Sequence, residues 1–182
     1  MTIPVRDFQT EVIRNFKDEY LKTIMKLEPL FPIKMQDREE KIRENLKTAA
    51  NINVFLKKDG QVVGWILATP HNDAVRELRN DDTGMKEDPA RYYIDKLAVI
   101  PEHRQGLIFV RLVYAMFEEA NRRGFHKFST HVLCGNGLNK VIMKLFKHTL
   151  TERRKVLLAL LGNATFEYLE GNYTIEKTQH GD

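Results

Sequence analysis

The sequence is poor in the features that mark disulfide-bonded, metal-binding and membrane proteins. Its single cysteine, Cys134, excludes an intrachain disulfide, and its 6 histidines lack the paired Cys and His spacing that a zinc site requires. No apolar run approaches the length that spans a bilayer, and the charged residues 1–17 contain no apolar core of a signal peptide. We therefore expect a cytoplasmic protein with no metal and no membrane span.

The composition that is present predicts one domain. The chain has 182 residues, of which 42% are apolar and 30% are charged, enough for one substantial core but little for two. The net charge of +4 comes from a mixed surface rather than from a basic tail, so charge alone identifies no partner. We interpret residues 1–182 as a single domain.

Apolar periodicity predicts an alternation of helices and strands. Helical spacing indicates helices over residues 7–27, 36–49, 107–123, 138–148 and 151–161. Apolar and β-branched runs indicate strands over 51–58, 61–68, 92–100, 126–133 and 166–175, the last as a strand or a hairpin around Gly171. Asp59 and Gly60 form the tight turn of a hairpin, and the polar residues 69–91 form a long loop with room for a short helix. This order predicts an α/β domain of the α+β layered kind, a mixed sheet with helices on both faces.

The strand at 92–100 leads into a turn and a long helix that Gly124 closes. Unpaired backbone N–H groups and the positive end of the helix dipole would lie at the C-terminal edge of this strand. Such a place binds diphosphates, and Arg104 would add a charge-assisted contact. The pattern predicts an anion site, and the alternative is a plain β-α unit whose helix only buries its apolar face.

This segment also resembles a known family. Its residues, Ile94-Asp-Lys-Leu-Ala-Val-Ile-Pro-Glu-His-Arg-Gln-Gly-Leu-Ile, are similar to the strand and pyrophosphate loop of the GNAT superfamily of N-acyltransferases, and a looser resemblance covers residues 51–148. The resemblance implies a mostly antiparallel sheet. It implies transfer of an acetyl or other acyl group to a primary amine by direct attack in a ternary complex. The co-substrate would be acetyl-CoA or another acyl-CoA.

The resemblance also implies the residues that hold the donor. The thioester and pantetheine pair with the backbone near the end of the strand, and the loop and the following helix complete the site. The implied donor-binding residues are Leu97, Ala98, Val99, Arg104, Gln105, Gly106, Leu107, Ile108, Phe109 and Asn139. The loop is atypical, because Leu107 and Phe109 stand where the family has small residues and must therefore point into the core.

Transfer to an amine needs a proton acceptor within reach of the nitrogen. Asp95 is the best candidate base, and Tyr93 lies near where some relatives place a carboxylate base; strict alternation would put both on one face with Leu97 and Val99. The alternative is that Asp95 is a surface charge and Tyr93 is packing. His131 and Cys134 are secondary candidates near the end of the next strand.

One proton donor of the family is missing. Phe146 occupies the position of a tyrosine that protonates the departing thiolate in the family. Solvent, Tyr93 or Tyr114 would then replace that hydroxyl, or the protein would not be catalytic.

Several alternatives stay open. One is a long-chain N-acyltransferase that uses acyl carrier protein, and another is a catalytically degenerate GNAT-fold binding module. A basic stretch would suit an acidic carrier protein; nucleic acid is not favoured because no aromatic residues interleave with it. Its members are Lys140, Lys144, Lys147, His148, Arg153, Arg154 and Lys155. The acceptor is a small-molecule amine or a protein amine, and an exposed edge of the last strand would allow a homodimer.

Overall fold

A seven-stranded sheet runs through the molecule in the order β1-β2-β3-β4-β5-β7-β6. The computed structural model describes residues 7–104, 108–135, 138–159 and 161–174. The strands are β1 (Phe8–Ile13), β2 (Ile52–Lys58), β3 (Gln61–Pro70), β4 (Arg91–Val99), β5 (Lys127–Leu133), β6 (Leu150–Leu158) and β7 (Ala164–Asn172). Neighbouring strands are antiparallel except β4 and β5, which are parallel. The predicted mixed, mostly antiparallel sheet is confirmed.

Helices cover both faces of the sheet, as predicted. They are α1 (Asp18–Leu27), α2 (Glu39–Lys47), α3 (His71–Leu78), α4 (Phe109–Arg122) and α5 (Leu138–Leu145). Short 3₁₀ turns follow α1 and β4, at Glu28–Leu30, Ile33–Met35 and Pro101–His103. Helix α4 packs on β1 to β4 from one face, while α1 and α2 pack on the other face around Trp65. No helix in the described part of the chain is long and apolar enough to cross a membrane.

The β2–β3 hairpin forms as the sequence predicts. Asp59 and Gly60 have φ angles of 50° and 78°, the left-handed region that this turn requires. The hairpin places Trp65 and Leu67 on the α1 face and Ile66 on the α4 face, so both faces of β3 are buried.

The N-terminal helix prediction is partly wrong. Residues 8–13 form the edge strand β1, which pairs with β2, and only residues 18–27 are helical. Phe8 packs on the α4 face and Ile13 on the α1 face. Apolar residues three and four apart in this short segment therefore fit a strand buried on both faces as well as a helix.

The helix prediction for residues 151–161 is wrong. Residues 150–158 form β6, whose side chains alternate between exposed and half-buried. Glu, Arg, Lys and Leu favour helix locally, but pairing with β7 overrides that preference. The basic stretch is therefore divided between α5 and β6, and Arg154 points inward while Arg153 and Lys155 are exposed.

The expectation of an exposed edge on the last strand is also wrong. Strand β7 lies between β5 and β6, so β6 is the edge strand. Residues 166–172 lie within this one strand rather than in a hairpin of their own.

Strands β4 and β5 diverge after a short contact. They pair only over residues 91–94 and 127–130, and the hydroxyl of Thr130 donates to the carbonyl of Ile94 at 3.0 Å where the pairing ends. Beyond this point no strand among the described residues pairs with the β5 side of β4. The divergence opens a gap through the middle of the sheet.

A β-bulge in β4 lies beside this gap. Lys96 pairs with Leu67 and Ile94 pairs with Ala68, so Asp95 has no partner on β3. The extra residue interrupts the alternation on which the sequence prediction relied. Leu97 and Val99 consequently face α4, whereas Tyr93 faces α3, and the prediction that all four odd-numbered residues share one face is wrong.

Candidate active site at the diverging strands

Two cavities meet at the gap between β4 and β5. The first, which we call the polar cavity because charged side chains line it, has a volume of about 500 Å³ and lies under α2 and α3. The second, which we call the apolar cavity, has a volume of about 660 Å³ and lies between β4, β5, α4 and α5. Both are lined by Phe31, Met35, Asp95, Lys96 and His131. Groups that bind in the two cavities can therefore meet at these five residues.

Asp95 lies at this junction. The bulge leaves its side chain exposed within the cleft where the two cavities meet. Desolvation by the protein that walls the cleft, reinforced by the nearby carboxylate of Asp37, raises the pKa of Asp95 to about 7, although Lys96 acts in the opposite direction. A carboxylate with this pKa can accept and release a proton near neutral pH.

Lys96 follows Asp95 in β4 and is 7% exposed. Its Nζ lies 3.0 Å from the Glu28 carboxylate, 2.9 Å from Asp37 and 2.9 Å from the carbonyl of Met35. All three donors of the ammonium are thereby satisfied by the segment between α1 and α2. We assign Lys96 to holding this segment over the cavities, not to chemistry.

Tyr93 is the first member of a hydrogen-bonded chain. Its hydroxyl lies 3.1 Å from His131 Nδ1, and His131 Nε2 lies 2.9 Å from Asp82. Two nitrogens of Arg154 bond to the two Asp82 oxygens at 2.5 and 2.6 Å. Burial would raise the pKa of Asp82, but the hydrogen bonds from His131 and Arg154 outweigh it and lower that pKa to about 2. The carboxylate is therefore ionised at neutral pH.

The backbone of β4 borders the apolar cavity at the three positions that the resemblance implied. Leu97, Ala98 and Val99 all line it. The N–H of Ile100 bonds to β3 at 2.9 Å, and successive residues of a strand point to alternate sides, so the N–H groups of Leu97 and Val99 point towards the gap. They are oriented to bond a ligand that lies there.

The predicted anion loop is described only in part. Arg104 lines the apolar cavity, and its Nε donates to the carbonyl of Val99 at 2.8 Å. Gln105, Gly106 and Leu107 lie outside the described residues. Ile108 is buried, and Phe109 packs against the core, as predicted for that position. The backbone of Asn139 lies in the first turn of α5, and its side chain is outside the described part.

The structure separates the remaining candidates. His131 joins the two cavities, whereas Cys134 lies beyond the end of β5 and lines neither. Tyr114 is 54% exposed on α4 and lines neither cavity, so it is not positioned to replace the missing tyrosine. Phe146 lines the apolar cavity and packs edge to face on Phe117.

Sequence reasoning missed Asp82 and Arg154. Asp82 lies in the stretch predicted as a loop, and Arg154 lies in the stretch predicted as a helix. The adjacent Asp81, Asp82, Thr83 and Gly84 gave a turn signal but no indication of which carboxylate points inward. Among the described residues, no group of three or more His, Cys, Asp and Glu side chains is arranged to hold a metal ion.

A second histidine, His71, forms a buried hydrogen-bonded pair with a serine. His71 Nδ1 lies 2.7 Å from the hydroxyl of Ser129, and both residues are fully buried. His71 Nε2 lies 2.9 Å from the carbonyl of Lys86, which fixes the ring between α3 and β5. Burial lowers the pKa of His71, so the ring is neutral and this pair is structural.

Solved structures share this fold at low sequence identity. The ribosomal-protein-S18-alanine N-acetyltransferase of Escherichia coli superposes with a TM-score of 0.62 at 12% identity, covering 96% of this chain and 100% of that one. A putative acetyltransferase of Salmonella typhimurium, solved with its cofactor acetyl-CoA, has a TM-score of 0.65 at 11% identity over 94% and 96% of the two chains. Spermidine/spermine N-acetyltransferase of Vibrio cholerae has a TM-score of 0.60 at 10% identity over 91% and 92%. These likenesses show the fold.

Sequence comparison identifies the family. Comparison with curated proteins finds no match. The model of the acetyltransferase (GNAT) family matches residues 15–147, which include α1 to α5, the bulge in β4 and both walls of the gap. The match covers well over half of the chain, and the fold agrees with it, so this chain belongs to the acetyltransferase (GNAT) family.

Proposed function

We propose that this protein transfers an acyl group from acyl-CoA to a primary amine, with Asp95 as the general base. The observation that carries the proposal is the junction of the two cavities at Asp95. A donor in the apolar cavity and an amine in the polar cavity would meet beside a carboxylate whose pKa is about 7.

The apolar cavity suits the donor. Its wall on β4 presents the N–H groups of Leu97 and Val99, which are placed to bond a pantetheine amide or the oxygen of a thioester carbonyl. Arg104 lies at the same cavity, where its charge favours a phosphate. Membership of the family and the acetyl-CoA named with one structural relative support acyl-CoA as the co-substrate.

The polar cavity suits a positively charged acceptor. Its lining includes five carboxylates, those of Asp95, Asp37, Glu44, Asp73 and Glu77, against the three ammonium groups of Lys34, Lys41 and Lys96, so negative charge is in excess. Carboxylates attract an ammonium group and raise its local concentration. Relatives named for a protein alanine and for spermidine or spermine support an amine of either the protein or the small-molecule kind.

Asp95 would remove a proton from the amine directly or through one water. An amine attacks a thioester only as the neutral base, so a carboxylate that is ionised above about pH 7 prepares the nucleophile. The nitrogen then bonds to the carbonyl carbon while the carbon–sulfur bond breaks. Holding both reactants at one junction replaces a collision in solution by a positioned reaction.

The apolar cavity also favours a second candidate for the acyl group. It is larger than the polar cavity, and Val113, Phe128, Ile142 and Phe146 extend its apolar wall. A longer acyl chain from acyl-CoA or acyl carrier protein would bury these surfaces. The division of the basic stretch between α5 and β6 weakens the case for a carrier-protein surface.

The test is thiol release from acetyl-CoA, octanoyl-CoA and acyl carrier protein with a panel of protein and polyamine acceptors. We expect turnover in the wild type and a kcat about 100-fold or more lower in Asp95→Asn, the usual effect of losing a general base. Asp59→Asn is the matched control, because Asn-Gly forms the same hairpin turn far from the cavities.

The donor site has its own test. Titration with CoA should show binding that Arg104→Glu weakens, since the substitution reverses a charge at the apolar cavity. Binding without turnover for any acceptor would indicate an inactive binding module. Turnover that Asp95→Asn leaves unchanged would contradict the role of Asp95.

A further inference from the structure

The proposed function assigns no role to the hydrogen-bonded chain that begins at Tyr93. It runs from Tyr93 on β4 to His131 on β5, then to Asp82 after α3 and Arg154 on β6. Four separate parts of the fold converge on it. The side chains of His131 and Asp82 are each only 2% exposed.

The direction of each hydrogen bond follows from the ionised Asp82. A carboxylate only accepts hydrogen bonds, so His131 donates from Nε2. In the neutral imidazole, Nδ1 then carries the lone pair, and the hydroxyl of Tyr93 donates to it at 3.1 Å. Asp82 thus fixes the tautomer in which His131 can take a proton from Tyr93.

Arg154 holds Asp82 in this state. Its guanidinium bonds both carboxylate oxygens and lies 4.2 Å from the centre of the Tyr168 ring, which is itself buried. The backbone N–H of Gly84 donates to Asp82 at 3.0 Å. The carboxylate is therefore anchored from two sides and cannot turn away from His131 without breaking a bond.

Only the front of the chain reaches the cavities. Tyr93 lines the polar cavity, where the acceptor would bind, and His131 lines both cavities. Asp82 and Arg154 line neither. The Tyr93 hydroxyl thus lies at the acceptor site. His131, a proton acceptor, lies behind it, and the Asp82 carboxylate behind that orients His131.

The number of protons that the amine nitrogen loses indicates what this arrangement can do. An amine that arrives as an ammonium loses two protons from nitrogen before it becomes an amide: one frees the lone pair, and the second leaves as the nitrogen–carbon bond forms. If Asp95 takes the first, it is protonated when the second must leave. A second acceptor at the same cavity is required unless Asp95 first releases its proton to water.

We propose that His131 accepts the second proton through the hydroxyl of Tyr93, and that Asp82 and Arg154 are positioning residues for this step. The inference rests on the proposed amine acylation. As the nitrogen–carbon bond forms, the nitrogen's proton moves to Tyr93 Oη while the proton of that hydroxyl moves to His131 Nδ1. The imidazolium, stabilised by Asp82, then returns the proton to the thiolate that leaves the thioester, directly or through water. The sum is ammonium plus thioester to amide plus thiol plus one proton, which Asp95 releases.

One test reads the tautomer without any turnover. Nitrogen NMR of histidine-labelled protein at about pH 8 should show His131 protonated at Nε2 and bare at Nδ1. Asp82→Asn should lose this preference, whereas His126→Gln should leave the His131 signals unchanged, because His126 is exposed and lines neither cavity. A proton on Nδ1 in the wild type would overturn the proposal.

The kinetic test uses matched pairs of substitutions. Tyr93→Phe and His131→Gln should each lower kcat about 100-fold with the KM for the amine changed less than about threefold, since a proton-transfer step is lost while the cavity keeps its shape. Tyr114→Phe and His126→Gln, the same changes at exposed positions outside both cavities, should keep wild-type kcat. Added imidazole should restore part of the kcat of His131→Gly, which a purely structural role would not allow.

The outcomes separate the two claims. A fully active Tyr93→Phe in an active wild-type background would overturn this inference and leave the proposed function standing. A properly folded wild type that binds CoA but acylates no amine would overturn the proposed function and this inference together. Loss of folding in His131→Gln, seen by circular dichroism, would move the test to the imidazole rescue and to Tyr93→Phe, whose phenyl ring keeps the packing against α3.

Discussion

Lys96 and Glu28 form a buried ion pair that joins the bulge of β4 to the turn after α1. The ammonium lies 3.0 and 3.1 Å from the two carboxylate oxygens, and both side chains are less than a tenth exposed. Burial raises the pKa of Glu28, and the charge of Lys96 opposes that rise. The pair fastens the segment that carries Phe31 and Met35, which line both cavities.

The first prediction concerns the stability that this pair provides. Lys96→Met should lower the free energy of unfolding by about 3–5 kcal/mol, because Glu28 would be left buried without its counter-charge. Urea unfolding measures the change. Lys17→Met, which removes an exposed partner of Glu19, should leave the midpoint of urea unfolding nearly unchanged. The double variant Glu28→Gln with Lys96→Met should recover part of the loss, and an additive double variant would contradict the pairing.

The second prediction concerns the pH dependence of the rate. If Asp95 is the general base, kcat should rise as the pH increases through about 7 and then level off, because only the ionised carboxylate accepts a proton. The measurement is kcat at saturating acyl-CoA and amine across this range. Asp95→Asn should abolish the inflection as well as lower the rate. An inflection that persists unchanged in that variant belongs to another group.

The third prediction concerns the stability cost of Asp95. Its pKa is raised from 3.8 to about 7 on folding, so both states are protonated below about pH 4 and the folded state alone is protonated between about 4 and 7. Folding is therefore progressively disfavoured as the pH rises through this window, and the cost is complete above 7. Asp95→Asn should raise Tm relative to the wild type at pH 8 and leave it unchanged near pH 4. A Tm gain of equal size at both values would mean that the substitution acts through packing.

The sequence predicts well those parts of the site that depend on local chemistry. The Asp59–Gly60 turn, the strand that carries Asp95 and the helix that Gly124 closes all formed where apolar runs and turn residues placed them. The strand itself predicts Asp95 as a base, and the family resemblance adds Tyr93. Both lie at the polar cavity, although their catalytic roles stay predictions.

The parts that the sequence did not predict depend on contacts between distant segments. The bulge at Asp95 exists because Lys96 pairs with Leu67 while Ile94 pairs with Ala68, and no local pattern reports that offset. Asp82 and Arg154 are 72 residues apart and meet only because β6 folds back on β7. Because the residues of β6 favour helix, the sequence predicts no strand there. It therefore gives no indication that the guanidinium of Arg154 orients the chain behind Tyr93.

The fourth prediction concerns the space that Arg154 needs. A Cβ on Gly84 would lie 2.8 Å from Arg154 Cζ, closer than any normal contact, so in Gly84→Ala the guanidinium that pairs with Asp82 must shift. We expect a loss of unfolding free energy smaller than the roughly 1–3 kcal/mol of an overpacked core, because Gly84 is exposed and the side chain that must move is flexible. Thr83→Ala, at the exposed neighbouring position, is the control and should change stability little.

The dependence of this loss on pH and on Arg154 tests its cause. The lowered pKa of Asp82 means that its stabilisation is full above about pH 4 and is lost as the pH falls through about 2. The part of the Gly84→Ala loss that comes from weakened pairing should therefore shrink over that range. In an Arg154→Lys background, where the slimmer side chain leaves room for the methyl group, Gly84→Ala should cost less than in the wild type. Equal costs in both backgrounds would show that the methyl group contacts something other than Arg154.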